Sequence, residues 1–211
     1  MTALSALEQR AVDAIGERRD EIVSLACSLI RLDTTARSVG DPARDERALQ
    51  ELLAGRLERA GAAIDLFEPD ADRPLGRPLV PPGLDFVGRP QLIARLAGRD
   101  GGRSLLLNGH IDAVPADQAD GWVSPPLEPA VRDGLLFGRG SCDMKGGIAA
   151  MTVAAEVLAS LGVLEGDLVV ATNTDEESSG AGGVALVDRG LRADAAIVTE
   201  PTGLDGWTSC R

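Results

Sequence analysis

Apolar, strand-like segments that alternate with helical segments are the feature that most constrains the fold of this chain. DLVVATN (residues 167–173) and ADAAIVT (193–199) are nearly continuous apolar runs, which is typical of strands that are covered on both faces. An Ala-rich helix is predicted from Met144 to about Leu161, and a further helix over 183–190. Strands that alternate with helices predict an α/β fold, a three-layer αβα arrangement around a central sheet.

The N-terminal third is predicted to be mainly helical. Residues 21–32 and 45–60 place apolar side chains three and four residues apart, as on one buried helix face. Residues 69–90 are rich in proline and are expected to be a surface loop, and residues 111–134 are expected to be irregular. Further strands are predicted at AAIDLF (62–67), QLIARLA (91–97) and SLLLN (104–108). The short turn between the last two predicts a hairpin, so the sheet is expected to be mixed.

Composition excludes several classes of partner. The chain has 33 acidic and 21 basic residues, a net charge of −12, and no basic stripe, so no nucleic-acid partner is expected. Glu8 and Asp13 precede any apolar segment, which argues against a signal peptide. No apolar run approaches the ~20 residues that a membrane span needs. The three cysteines are far apart and form no disulfide framework, so a reducing, cytoplasmic location is predicted.

The only histidine, His110, directly follows the strand SLLLN and its glycine, at the kind of strand end where α/β proteins bind ligands. If the extended conformation continues, Asp112 points to the same side as His110. A carboxylate in that position can hold the second ring nitrogen of a metal-bound imidazole. The alternative is a histidine at a strand end and an aspartate in a turn, and for this pair alone that alternative is favoured.

Acidic residues stand at three further element ends. GRGSCDMKGG fits neither the dinucleotide-binding nor the P-loop template, and its Asp143 could simply cap the Ala-rich helix. Glu176 and Glu177 follow DLVVATN, where a solvated charged pair is the alternative, and Glu200 ends ADAAIVT, where the alternative is a turn residue. Strand ends can converge in an α/β sheet, however. An imidazole with carboxylates suits Zn²⁺, Co²⁺ or Mn²⁺, and a shared carboxylate allows two ions roughly 3.5–4 Å apart.

Four motifs resemble those of a known family, in the same order: LLLNGHIDAVP, GRGSCDMKGGIAAM, TNTDEESSGAGG and TEPTGLD. The chain resembles the acetylornithine deacetylase/succinyl-diaminopimelate desuccinylase metallohydrolases, a superfamily that includes aminoacylases and carboxypeptidase G. The resemblance covers residues 10 to 205. It implies a zinc-peptidase-like catalytic domain with two divalent metal ions, zinc or cobalt, that hydrolyses the amide of an N-acyl amino acid or small peptide, as in amino-acid metabolism.

The resemblance also implies a role for each of the acidic residues. Glu176 would be the general base that takes a proton from the attacking water and passes it to the leaving amine. Asp112 would be the carboxylate behind the histidine. Asp143, the aspartate of the second motif, would bridge both ions, in a set of four metal ligands: His110, Asp143, Glu177 and Glu200.

The chain also departs from the family. The family's late second histidine and its lid or dimerisation domain, through which members often form homodimers, have no counterpart here. Residues 1–211 are therefore expected to be the N-terminal half of a catalytic domain. The tail GWTSCR is not the apolar strand of the family, and a family-like strand start results if the coding DNA is read two bases further on. We therefore hypothesise a frame shift near residue 206.

Three functional interpretations follow. The first is a two-metal deacylase by ancestry. In the second, this chain is a fragment without normal hydrolysis that still binds one metal through His110, Asp143 and Glu200, and we favour it over full activity of this chain. The third is a non-enzymatic binding module, which nothing in the sequence favours.

Overall fold

The predicted alternation of strands and helices is observed. The computed structural model describes residues 3–36, 38–69, 80–99, 101–116 and 121–203; the tail 206–211 and much of the proline-rich loop lie outside the described residues. The helices are α1 Ala6–Glu17, α2 Arg19–Arg31, α3 Glu46–Arg59, α4 Gly146–Leu161 and α5 Ala181–Asp188. The strands are β1 Ala63–Phe67, β2 Gln91–Leu96, β3 Leu105–His110, β4 Ala130–Arg132, β5 Leu135–Phe137, β6 Leu168–Asn173 and β7 Ala195–Val198.

The main sheet is mixed and has the strand order β1-β2-β6-β3-β7. Strands β6, β3 and β7 are parallel, and β2 is antiparallel to both of its neighbours. The predicted hairpin of β2 with β3 is therefore wrong, because β6 lies between them. Within the connection from β2 to β3, Arg99 N donates to Leu164 O at 2.9 Å and Gly102 N donates to Glu165 O. It is thus bound to the segment that leads into β6, which makes room for that strand.

Helices cover both faces of the sheet, which confirms the three-layer architecture. In β2, Leu92 and Ala94 belong to the larger core, where α2, α3 and α4 pack. Ile93 points the other way and belongs to a smaller core with Leu186 of α5. All six residues of β6 are buried, as predicted for a strand covered on both faces.

Strand β7 does not have the predicted covered faces, since all four of its residues are exposed. Within the described residues it forms an edge of the sheet, with β3 as its strand neighbour. Helix α5, on the second face, packs against β2 and β6. An apolar run therefore predicted the strand correctly and its burial wrongly.

Two smaller features differ from the sequence predictions. The irregular region ends in a hairpin of β4 with β5, joined by Asp133 and Gly134, both with positive φ, and Asp-Gly is a favoured pair for such turns. Among the described residues, one helical segment, Ser141–Leu161, is long and apolar enough by length and composition to cross a membrane. Most of its apolar window is buried in the fold, and α4 contacts α2 and the sheet, so it is a core helix.

Candidate metal centre

The carboxyl ends of the three parallel strands bring the predicted site residues together. His110 is the last residue of β3, Glu176 and Glu177 follow β6, and Glu200 follows β7 by two residues. Because these strands are neighbours and parallel, their ends lie at the same edge of the sheet. The convergence predicted from the sequence is therefore observed.

The imidazole of His110 is buried, with 2% of the residue exposed, and its two nitrogens have different partners. Nδ1 lies 2.8 Å from the backbone oxygen of Asp112. A carbonyl oxygen can only accept, so Nδ1 carries a hydrogen and donates it. Nε2 faces the acidic cluster, 2.9 Å from Oδ1 of Asp143 and 3.4 Å from Oε1 of Glu200. The ring is thereby oriented with Nε2 as the nitrogen available to a cation.

The carboxylate of Asp112 lies beside Nδ1 of His110 and also contacts the turn after β6. Its Oδ1 is 3.5 Å from Nδ1, and the backbone oxygen of the same residue is the closer acceptor. The carboxylate also accepts from two successive amides, Glu176 N at 3.2 Å and Glu177 N at 3.0 Å. Asp112 therefore ties the end of β3 to the turn after β6.

Asp143 does not cap a helix. It lies with non-helical backbone angles inside a π-helical turn, Ser141–Lys145, and α4 begins after this turn without a side-chain cap. The peptide bond from Asp143 to Met144 is cis. The sulfur of Met144 accepts from the backbone N–H of His110 at 3.1 Å. Strand β3 and the turn are thus in direct contact, and the aspartate carboxylate reaches the imidazole.

The three glutamates surround the same point. One ligand atom each from His110, Asp143 and Glu177 lies within 4.8 Å of the others. Oε2 of Glu176 lies 4.0 Å from Nε2 of the histidine, and this side chain is 49% exposed. Glu176 is therefore at the solvent side of the cluster.

The electrostatics of this cluster are dominated by negative charge. Burial by itself lowers the pKa of His110, but the side-chain interaction with Asp112 and its charge, the charge of Glu200 and the hydrogen bond with Asp143 raise it to about 10. Burial, opposed by the charge of His110 and supported by the charges of Asp143 and Glu176 and a hydrogen bond with Asp143, raises the pKa of Glu200 to about 7. Burial also raises the pKa of Glu177.

The cluster fits a divalent cation by its donor chemistry. Five carboxylates and one imidazole converge. The three groups that lie within ligand distance of one another, those of His110, Asp143 and Glu177, include no thiolate. A cation that replaces the exchangeable proton on Nε2 of His110 would offset the repulsion that raises the glutamate pKa values. This donor set suits zinc, cobalt or manganese and does not distinguish among them.

Two supporting features were missed by the sequence analysis. Lys145 is completely enclosed, and its ammonium donates to two carbonyls at the end of α2; burial lowers its pKa to about 8, so it is mostly protonated at pH 7. The side chain of Gln91 accepts from Thr174 N at 3.0 Å and donates to its hydroxyl at 2.9 Å, beneath the turn that carries Glu176. No local pattern marks a lysine or a glutamine as buried.

Comparison with known proteins assigns the family. The model described as Peptidase family M20/M25/M40 matches residues 106–211, half of the chain, a range that contains all six predicted site residues. The chain belongs to this family. The resemblance inferred from the motifs is thereby confirmed, and the chain is by family an enzyme of the peptidase and amidohydrolase group.

Two curated relatives of this M20-family chain carry the same description. The N-formyl-4-amino-5-aminomethyl-2-methylpyrimidine deformylase of Bacillus subtilis is 31% identical over 193 residues, which are 90% of this chain and 41% of that protein. Its counterpart from Halalkalibacterium halodurans is 30% identical over 203 residues, 95% of this chain and 43% of that protein. The chain thus spans about two fifths of the length of these relatives.

Solved structures show the same fold. Human carnosine dipeptidase 1 superposes with a TM-score of 0.69 at 19% identity, over 90% of this chain and 40% of that one. The mixed α/β fold expected from the sequence is confirmed by this superposition, and the chain spans about two fifths of the length of that neighbour.

Proposed function

We propose that this chain contributes its metal centre to a metal-dependent amidohydrolase. The observation that carries the proposal is the convergence of donor atoms from His110, Asp143 and Glu177 within 4.8 Å. Glu200 lies 3.4 Å from the same imidazole nitrogen. Three parallel strands and one turn, remote in sequence, supply these groups, so a random surface cluster of acids does not account for them.

Each residue has a distinct role in the proposed site. His110, Asp143, Glu177 and Glu200 would hold the metal. Bound divalent ions supply an acidified water and polarise the scissile carbonyl. Glu176, exposed beside the cluster, takes the proton of the attacking water and delivers it to the leaving nitrogen. Asp112 holds both the Glu176 and the Glu177 backbone in place.

The substrate class we propose is an N-acylated amine. The curated relatives are named as deformylases of an aminomethylpyrimidine, and one structural neighbour is named a dipeptidase. All of these reactions hydrolyse a carbon–nitrogen amide bond. The narrower acetylornithine deacetylase type, and zinc or cobalt as the metal, remain predictions from the sequence resemblance.

The test measures metal binding and turnover separately. The purified chain is titrated with Co²⁺ and Zn²⁺ and then incubated with an N-formyl amine, an N-acetyl amino acid and a dipeptide. We expect His110→Ala to weaken metal binding strongly, and Glu176→Gln to keep metal binding while any turnover is lost. Glu58→Gln is the control, because Glu58 is exposed on α3.

The outcomes separate the three interpretations. Turnover by the unchanged chain supports an active amidohydrolase. Metal binding at His110 without turnover supports a fragment that retains the centre, the second interpretation from the sequence. The proposed centre is contradicted if the unchanged chain binds no metal, or if the His110→Ala variant binds metal as tightly as the unchanged chain. Normal turnover by Glu176→Gln contradicts the assignment of the base.

A further inference from the structure

A buried ammonium belongs to the same turn as Asp143 of the candidate metal centre. Lys145 is 1% exposed and heads the fully buried side chains when these are ranked by volume. Its Nζ donates to Leu29 O at 3.0 Å and to Leu32 O at 2.9 Å. These carbonyls belong to the C-terminal end of α2, where helical carbonyls lack intrahelical partners and where a positive charge is favourable.

The backbone of the same residue closes the turn that carries Asp143. Lys145 N donates to Gly140 O at 2.8 Å, so both ends of the turn are joined. Asp143 lies within it, with backbone angles that no helix would impose. The lysine side chain then fixes this turn to α2, an element that is separated from it by more than one hundred residues. The position of the turn that contains Asp143 is thus fixed by its contact with α2.

The charge of Lys145 also acts on Asp112, the residue that links the end of β3 to the turn after β6. It interacts electrostatically with Asp33 and, next in strength, with Asp112, the carboxylate that accepts from the amides of Glu176 and Glu177. Removal of the ammonium would leave this buried carboxylate with less compensation beside the negative cluster. Loss of the lysine should therefore loosen two of the connections that set the ligand geometry.

We propose that Lys145 is a positioning residue of the metal centre, which holds Asp143 at ligand distance from His110 by tying the ligand turn to the end of α2. This inference rests on the proposed function, because it concerns the same metal site. It assigns the lysine no contact with the metal or with a substrate.

The test compares two variants that each remove one positive charge. Lys145→Met keeps the length of the side chain and removes its ammonium. Arg56→Met is the matched control, since Arg56 forms two hydrogen bonds at 2.7 Å with Glu156, about three turns further along α4. Co²⁺ is the probe: its visible absorption reports the ligand geometry, its titration gives Kd, and circular dichroism gives the folded fraction of each variant.

We expect both substitutions to lower the urea midpoint, but only Lys145→Met to weaken Co²⁺ binding per folded molecule, by roughly 10- to 100-fold, and to change the absorption spectrum. This is the range that the loss of an outer support of a metal ligand costs. Kd and spectrum equal to those of the unchanged chain would overturn the inference and leave the proposed function intact. Failure of the unchanged chain to bind Co²⁺ would instead overturn the proposed function.

A second variant covers a failure to fold. Lys145→Gln retains a donor amide on a shorter side chain, and we expect its Kd to lie between those of the unchanged chain and Lys145→Met. If neither variant folds, the inference is contradicted, because the lysine would then be required for folding as a whole. Equal weakening by Arg56→Met would contradict it too, since general destabilisation would explain the loss.

Discussion

Gly147, near the start of α4, allows the end of β7 to approach the helix closely. A Cβ built at this glycine would lie 2.5 Å from Thr199 O and 2.7 Å from its Oγ1. Ordinary van der Waals contact begins at 3.4 Å, so Gly147→Ala requires a shift of about 0.9 Å (3.4 less 2.5). The next residue along the chain is Glu200, and we expect the shift to be passed to its carboxylate.

The strand should move rather than the helix. Ile148 and Ala149 of α4 are completely buried in the larger core, whereas β7 is an edge strand with exposed residues. Displacement of Glu200 by 0.9 Å exceeds the tolerance of about 0.2 Å in metal–ligand distances. We therefore expect Gly147→Ala to weaken Co²⁺ binding by roughly 10- to 100-fold, and to lower the free energy of unfolding by about 1–3 kcal/mol, the usual cost of overpacking.

The assay is a Co²⁺ titration beside a urea unfolding curve, with Gly183→Ala as the control. Gly183 is also a helical glycine, in α5, but a Cβ there would meet nothing within 4 Å. We expect this control to gain about 0.5–1 kcal/mol, the intrinsic advantage of alanine in a helix, and to bind Co²⁺ normally. If Gly147→Ala binds Co²⁺ within two-fold of the unchanged chain, either the strand end does not move or Glu200 is not a ligand.

Two further predictions concern charge. Glu200→Gln removes one negative charge from a crowded cluster, so it should raise the metal-free melting temperature while it weakens Co²⁺ binding; a fall in both would contradict the electrostatic reasoning. Glu21, which accepts from Arg18 and Arg56, has its pKa lowered to about 2 by these hydrogen bonds. A lowered carboxyl pKa stabilises the fold above its unfolded value near 4.5, and this stabilisation is lost as pH falls from about 4.5 to 2. Because its side chain is 36% exposed, we expect Glu21→Gln to cost only about 1 kcal/mol at pH 7. The difference in urea midpoint should shrink on acidification, and a constant difference would refute the assigned cause.

The elements of the fold were predictable from local pattern, whereas their arrangement was not. The periodicity of α2 and the apolar run of β6 identify a helix and a buried strand because burial of one face or of both leaves a visible repeat. Strand order leaves no such repeat. Only residues 97–104 separate β2 from β3 along the chain, yet β6 takes the place between them because it pairs with both.

The site was predicted in a similar way, to the level of residue and neighbourhood. A lone histidine at a strand end, with acids at three other element ends, was sufficient to expect one cluster. The partner of each group was not predictable. Asp112 accepts from two amides besides lying next to the imidazole ring, and Asp143 lies inside a turn rather than at a helix cap.

Local sequence pattern indicates which residues form strands and helices and which chemistry their ends carry, because hydrophobic periodicity and side-chain type are local properties. The folded arrangement is what places β6, β3 and β7 side by side and parallel, so that His110, Glu177 and Glu200 share one edge of the sheet. It also encloses Lys145, in the same turn as Asp143. These outcomes depend on contacts between segments that are far apart along the chain, and only the energy of packing the whole core selects among them.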